Sequence, residues 1–418
     1  MKLPSRWNTL RYHPEQRRLW TENKRFKVVP AGRRSGKTEL AKRRLVVALA
    51  EKKPWQDPRY FAAAPTREQA KRIFWKDLKA LVPPRWIKRV YETELCIVTT
   101  MGSELWVVGL DRPERIEGIP WDGCVLDEYA NMKPETWQAH VRPALSDRQG
   151  WCWFIGVPEG LNHYKDLADY ARRGADPDWG FYTWFSEDIL PPQEIEAARR
   201  VLDPKTFRQE YQASFEGAVG RVYYPYSAET HQDPSIEIEQ GLPLILCCDF
   251  NVDPCVWLIC QSDGKKVWVI DEVVKRGTST VEMAREVLRR YGDHKKGIIV
   301  YGDATGGRRS TAGKSDYALL HEMGFTAQRI PRQNPPVKDR VNAVNSMLCN
   351  TRGEVRLTHH PRCRHLRRDL ETVTWQKDST DIDKTDNERT HASDALGYFI
   401  AKEFPVRIKR AVNRLFYK

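Results

Sequence analysis

Short apolar runs alternate with stretches of helical periodicity through the first half of the chain. "FKVVPA" is followed by "KTELAKRRLVVALAE", and "YFAAAP" by "REQAKRIFWKDLKAL". Apolar runs that alternate with helical patterns predict a mostly parallel sheet covered by helices. "CIVTT", "ELWVVG", "GCVLD" and "WCWFIG" are further strand candidates. After Trp184 the pattern turns polar and helical, in "PPQEIEAARRVL" and "DPKTFRQEYQASF". It then dissolves into "EGAVGRVYYPYSAETHQDPS", rich in turn residues, where a domain junction is expected.

From Leu242 the order of elements changes. "LILCCDF", "VWLICQ" and "KKVWVIDEV" are apolar runs, and Asp263-Gly264 between the last two is a hairpin signal. A helix, "TVEMAREVLRRY", and a strand, "GIIVYGD", follow. The second half therefore reads as an α/β domain of a different kind, with a mixed sheet. The expected division is residues 1–204 for the first domain, 205–240 for an interdomain helix and linker, 241–403 for the second domain, and 404–418 for a basic tail.

Composition adds three constraints. At 418 residues the chain exceeds the usual single core. The excess of 69 Lys+Arg over 56 Asp+Glu leaves a net charge of +13, which favours a polyanionic partner, although solubility alone also tolerates such a surface. The nine cysteines form no CxxC pair, as in a reduced, intracellular protein. "MKLPSRWNTLRYHPEQRRLW" lacks an apolar core and no run reaches membrane-spanning length, so a soluble, cytosolic protein with no membrane partner is expected.

Two clusters carry chemistry. In "AGRRSGKTEL" the small residues free backbone N–H groups to surround phosphate oxygens. Ala31 stands where the usual pattern has its first glycine, and Gly32, Arg33, Arg34, Ser35 and Gly36 form the rest of the loop. Lys37 is the phosphate lysine and Thr38 the magnesium ligand. A strand enters and a helix leaves, the context this motif requires; Gly-Lys-Thr alone also arises by chance at helix starts. "GCVLDEYA" ends a strand in Asp127, which would hold magnesium through water, and Glu128, which would orient and deprotonate the attacking water. In "HPEQ", Gln16 is a candidate reader of an adenine edge or a plain exposed helix start. "WFIGVPEG" offers a strand-to-loop switch at Gly156 and Pro158, or a simple turn.

The second cluster is acidic. Asp249 ends "LILCCD", Asp303 ends "GIIVYGD", and Asp394 lies in "THASDALGYFIA". Two-metal hydrolysis of nucleic acid needs carboxylates that converge from different elements. In a three-strand meander followed by helix and strand, the first and fourth strands are neighbours, which brings Asp249 beside Asp303. Asp253 and His391 could assist, or merely cap and face solvent. His359, His360, Cys363 and His365 in "HHPRCRH" match no common zinc spacing, and a helix is expected to start at Pro361. Lys338 and Arg340, and Arg308, Arg309 and Lys314, are candidate phosphate contacts along DNA or ordinary solvated basic faces.

"GRRSGKT" with its arginine four before the lysine, then "VLDE", then "CCDFN", "YGDATG" and "HASDALGY", taken in this order, resemble the large subunit of phage terminase. "FRQEYQASF" is similar to that family's interdomain helix. The resemblance implies an N-terminal P-loop ATPase domain of the ASCE type and a C-terminal ribonuclease H-like nuclease domain. It implies ATP and Mg²⁺ as cofactors, Arg33 on the γ-phosphate, and two Mg²⁺ or Mn²⁺ ions on Asp249, Asp303 and Asp394. The implied partners are double-stranded DNA, a small terminase subunit, the portal protein and further copies in a ring, at work in the cytoplasm of an infected bacterium. The sequence departs from the pattern where "GVPEG" lacks a Ser or Thr before Pro158. The trans-acting arginine falls to Arg112 or Arg115, since Glu117 occupies the first place to look. A cellular helicase-nuclease, a transposase-like ATPase/nuclease and a scaffold with degenerate sites are the competing readings.

Overall fold

Each apolar run of the first half forms a strand in the computed structural model, which describes residues 13–406 apart from 217–219, 251–252, 309–312, 377–378, 380 and 387. The strands are β1 Phe26–Pro30, β2 Arg59–Ala64, β3 Ile87–Tyr91, β4 Cys96–Thr99, β5 Glu104–Gly109, β6 Gly123–Asp127, β7 Trp151–Gly156 and β8 Trp179–Phe181. They form one sheet in the order β3-β4-β5-β2-β6-β7-β1-β8. From β5 to β8 every pairing is parallel; β3, β4 and β5 pair antiparallel at one edge. β1, β6 and β7 are buried at every position, as parallel strands covered on both faces must be. Because β1 and β6 run parallel on either side of β7, the residues that follow them emerge at the same edge of the sheet.

The second sheet comprises β9 Leu244–Cys248, β10 Cys255–Ser262, β11 Val267–Lys275, β12 Ile298–Gly302, β13 Ala327–Arg329 and β14 Leu357–His359. Its order is β13-β12-β9-β10-β11-β14. β9, β10 and β11 form the antiparallel meander, and β12 lies parallel to β9 with Gly302 opposite Cys248. That register sets Asp249 and Asp303, the next residue on each strand, side by side. The helix His391–Glu403 packs across β9, β10 and β12 through Ala392, Ala395, Leu396, Phe399 and Ile400, and so delivers Asp394 to the same strands.

The chain divides into two compact units, one of residues up to Ile195 with 208–216, the other of Glu196–Phe207 with 220–406. Among the described residues no helix is long and apolar enough to cross a membrane.

Candidate nucleotide and nuclease sites

In the first unit the loop after β1 is shaped by its backbone. Arg34 and Gly36 have φ of 58° and 88°, and the left-handed turn at Gly36 starts the helix Lys37–Ala48. The first N–H groups of a helix have no partner within it and carry its positive dipole end, which suits an anion. Lys37 is buried with Nζ 3.2 Å from the Gly32 carbonyl. Thr38 Oγ1 donates to Asp127 Oδ2 at 3.0 Å, and the Glu128 N–H donates to Asp127 Oδ1 at 2.9 Å. Glu128 itself turns left-handed, with φ of 54°. Burial pushes the Asp127 carboxyl up to about 6, against the pull of Lys37 and with the push of Glu128. Burial likewise pushes the Lys37 ammonium down to about 8, against the pull of Asp127.

The loop is gripped from several sides. The Ala31 N–H donates to the Gly156 carbonyl at 3.2 Å, which joins the end of β7 to the loop. The Gly32 N–H donates to Trp184 O at 3.0 Å, Trp184 Nε1 donates to Ser35 O at 2.9 Å, and Ser186 Oγ donates to Arg33 O at 2.7 Å. Arg33 bonds Glu210 twice, N–H to carbonyl at 2.6 Å and Nε to Oε2 at 2.6 Å. Gln16 is buried and donates to Ser35 O at 2.7 Å, while its Oε1 accepts from the His13 N–H in a capping box. An exposed helix start is thus excluded for Gln16, whose amide is engaged by the loop after β1.

In the second unit Asp249, Asp303 and Asp394 are all buried. Asp249 Oδ2 meets His391 Nδ1 at 2.9 Å. Asp303 accepts from Thr305 Oγ1 at 2.6 Å and from the Gly306 N–H at 3.1 Å. Asp394 accepts from Arg340 Nη2 at 2.7 Å and Lys384 Nζ at 3.2 Å. Burial pushes the Asp249 carboxyl above the ordinary range; His391 opposes the shift, and the nearby charges of Asp394 and Asp303 add to it. Asp249 therefore feels the charge of both other carboxylates. Among the described residues, however, no three His, Cys, Asp or Glu side chains stand close enough to form a ready metal cage.

Other candidates separate. Cys363 is buried against Val269 O, His359 bonds Tyr226 at 2.8 Å, and His365 bonds Glu272 at 2.8 Å, so the "HHPRCRH" side chains turn to different partners. The helix expected at Pro361 begins at Arg364, where Glu272 accepts from the N–H groups of His365 and Leu366. Of the basic set, Arg340 is buried on Asp394, Lys314 pairs with Glu322, Lys338 is half-buried and Arg308 is exposed; Arg309 lies outside the described residues. Asp253 is exposed and faces Arg276 at 3.6 Å. Arg112 and Arg115 are exposed beside the turn Pro113–Ile116, and Glu117 bonds His140 at 2.5 Å. Of the basic tail, residues 407–418 lie outside the described residues. Nothing in the sequence singled out Glu210 or Lys384, and Arg340, expected on DNA or on a solvated basic face, is on neither: it is buried on Asp394.

Residues 250–403 match the family described as the terminase RNaseH-like domain. The large terminase subunit of Thermus virus P23-45 is 27% identical over 237 residues, 49% of this chain and 48% of that one. Over about half its length the chain is similar to phage large terminases. That of Escherichia phage T5 is 24% identical over 213 residues, 50% of this chain and 48% of that one. The match thus spans about half the length of these curated terminases. The fold extends the likeness: the large terminase of a thermophilic bacteriophage superposes with a TM-score of 0.65 at 17% identity, over 94% of this chain and 99% of that one. Five strands of the mixed second sheet, β10 to β14, lie within the residues that match the terminase RNaseH-like domain.

Proposed function

We propose that this chain is a large terminase subunit that hydrolyses ATP to drive double-stranded viral DNA into a procapsid and cuts concatemeric DNA by a metal-dependent reaction. The observation that carries the reading is the 3.0 Å contact between Thr38 and Asp127, which joins the phosphate loop to the acidic strand end in a chain whose other unit matches a terminase nuclease. The large terminase of the thermophilic bacteriophage has been solved with ADP and with ATP-gamma-S, which supports ATP as the ligand.

In this reading Lys37 and the N-terminal N–H groups of its helix hold the phosphates. Glu128 orients the attacking water and takes its proton. Arg33 reaches the γ-phosphate from the loop after leaving Glu210. Thr38 and Asp127 offer the hard oxygen ligands that magnesium prefers, as do Asp249, Asp303 and Asp394 in the nuclease. Divalent ions bound there would activate water and neutralise charge on phosphate oxygens. His391 holds Asp249, while Thr305 and the Gly306 N–H hold Asp303. The charge of +13 suits DNA as the substrate of both units. The small terminase subunit, the portal and other copies of the chain in a ring are the partners this function requires, in the cytoplasm of the infected host.

ATP turnover tests the motor half. Glu128→Gln keeps the fold and removes the base, so the rate should fall by roughly 10²–10⁴-fold. Hydrolysis by the variant at the wild-type rate would remove Glu128 from the mechanism and the motor from the proposal.

A further inference from the structure

Asp394 is held by two cations of opposite character. Arg340, from the helix Val337–Leu348, is 3% exposed and donates Nη2 to Asp394 Oδ1 at 2.7 Å. Its stem lies across Gly397, where a Cβ would come within 2.6 Å of Cγ and 2.7 Å of Cδ. Its guanidinium sits 4.7 Å from the centre of the Tyr398 ring. The slot thus admits a guanidinium stem only because residue 397, one turn beyond Asp394, has no side chain. Lys384 approaches the other oxygen, Oδ2, at 3.2 Å, and its side chain is 59% exposed.

The two contacts differ in what it takes to break them. Removing one partner of a buried pair strands an uncompensated charge away from water, which is strongly destabilising. The carboxylate that Lys384 meets is buried, but the lysine end of the contact lies in solvent, which screens it and lets the side chain swing out without stranding its own charge. The contact on Oδ1 is thus the costlier of the two to break.

We propose that Arg340 is a positioning residue that locks the rotamer of Asp394, and that Lys384 is a place-holder on Oδ2 which yields to a divalent cation. The inference rests on the nuclease reading of Asp249, Asp303 and Asp394. It gives the buried arginine a role in metal affinity, beyond that of joining two helices.

Calorimetric titration of the full-length protein with Mn²⁺ tests it, with Asp303→Asn to define the binding that belongs to this site. Lys384→Met removes the competitor and should tighten that binding about two- to fivefold. Arg340→Lys keeps the charge but loses the fixed fork, and should weaken binding about tenfold or more. Equal affinities in wild type and Lys384→Met, or weaker binding in the latter, would overturn the place-holder, and this variant, at an exposed position, tests the idea even if Arg340→Lys fails to fold. A folded Arg340→Lys with wild-type affinity would overturn the positioning role. Wild-type protein with no Asp303-dependent binding would instead overturn the nuclease reading itself.

Discussion

Gly32 stands where no side chain fits. A Cβ there would lie 2.4 Å from Ser186 Oγ, 2.5 Å from Ser186 N and 2.6 Å from Tyr211 O. Two of these neighbours are backbone atoms and cannot swing away, so Gly32→Ala must push the loop off Trp184 and Glu210. ATP affinity should fall at least tenfold in a nucleotide-binding assay while the nuclease unit keeps its metal-dependent activity; unchanged affinity would show that the loop tolerates displacement. At this scale the sequence was legible wherever the chemistry is local. Lys37, Thr38, Asp127 and Glu128 follow strands in runs that announce themselves. Glu210 was not legible, because its partner Arg33 lies 177 positions away and nothing near "FRQEYQ" marks the glutamate for burial. Arg340 read as a DNA contact or a solvated basic residue for the same reason: its carboxylate is 54 positions away on another helix.

Among elements, the fully apolar runs were read correctly because strands buried on both faces need little context. β3, whose middle residues are exposed, and the three-residue β8, β13 and β14 carry no such pattern; only pairing with a neighbour makes them strands. The join between β1 and the helix Pro14–Thr21 also depends on tertiary contact. Lys27, on β1, is 5% exposed and donates Nζ to Leu19 O at 2.6 Å and Glu22 O at 2.5 Å, which ties down the helix that carries Gln16. Burial, helped by the charge of Arg44, pushes the Lys27 ammonium down to about 8. Its folded pKa lies below the unfolded value, so Lys27 contributes most above about pH 10 and loses that contribution as pH falls through about 8. In urea unfolding of the first unit, wild type should gain on Lys27→Met by roughly 1–2 kcal/mol between pH 7 and pH 9.5. A pH-independent difference would mean that Lys27 titrates alike in folded and unfolded chains.

For the whole molecule, the two sheet types and their order were legible from the change in pattern near Leu242. The convergence of Asp249 with Asp303 followed from strand order alone. How the carboxylates are held could not be read, since the hydrogen bonds to His391, Arg340 and Lys384 arise from packing of a late helix and its approach segment. The central proposal is that one chain joins an ATP-hydrolysing unit to a nuclease, and the family match lies in the second unit. Conversion of supercoiled plasmid by the purified protein, with Mn²⁺ and with EDTA, tests it most directly when wild type is compared with Asp303→Ala and Glu128→Gln. The account predicts cutting that requires the metal, is lost in Asp303→Ala and persists in Glu128→Gln. Cutting that survives Asp303→Ala, or that needs no metal, would contradict it.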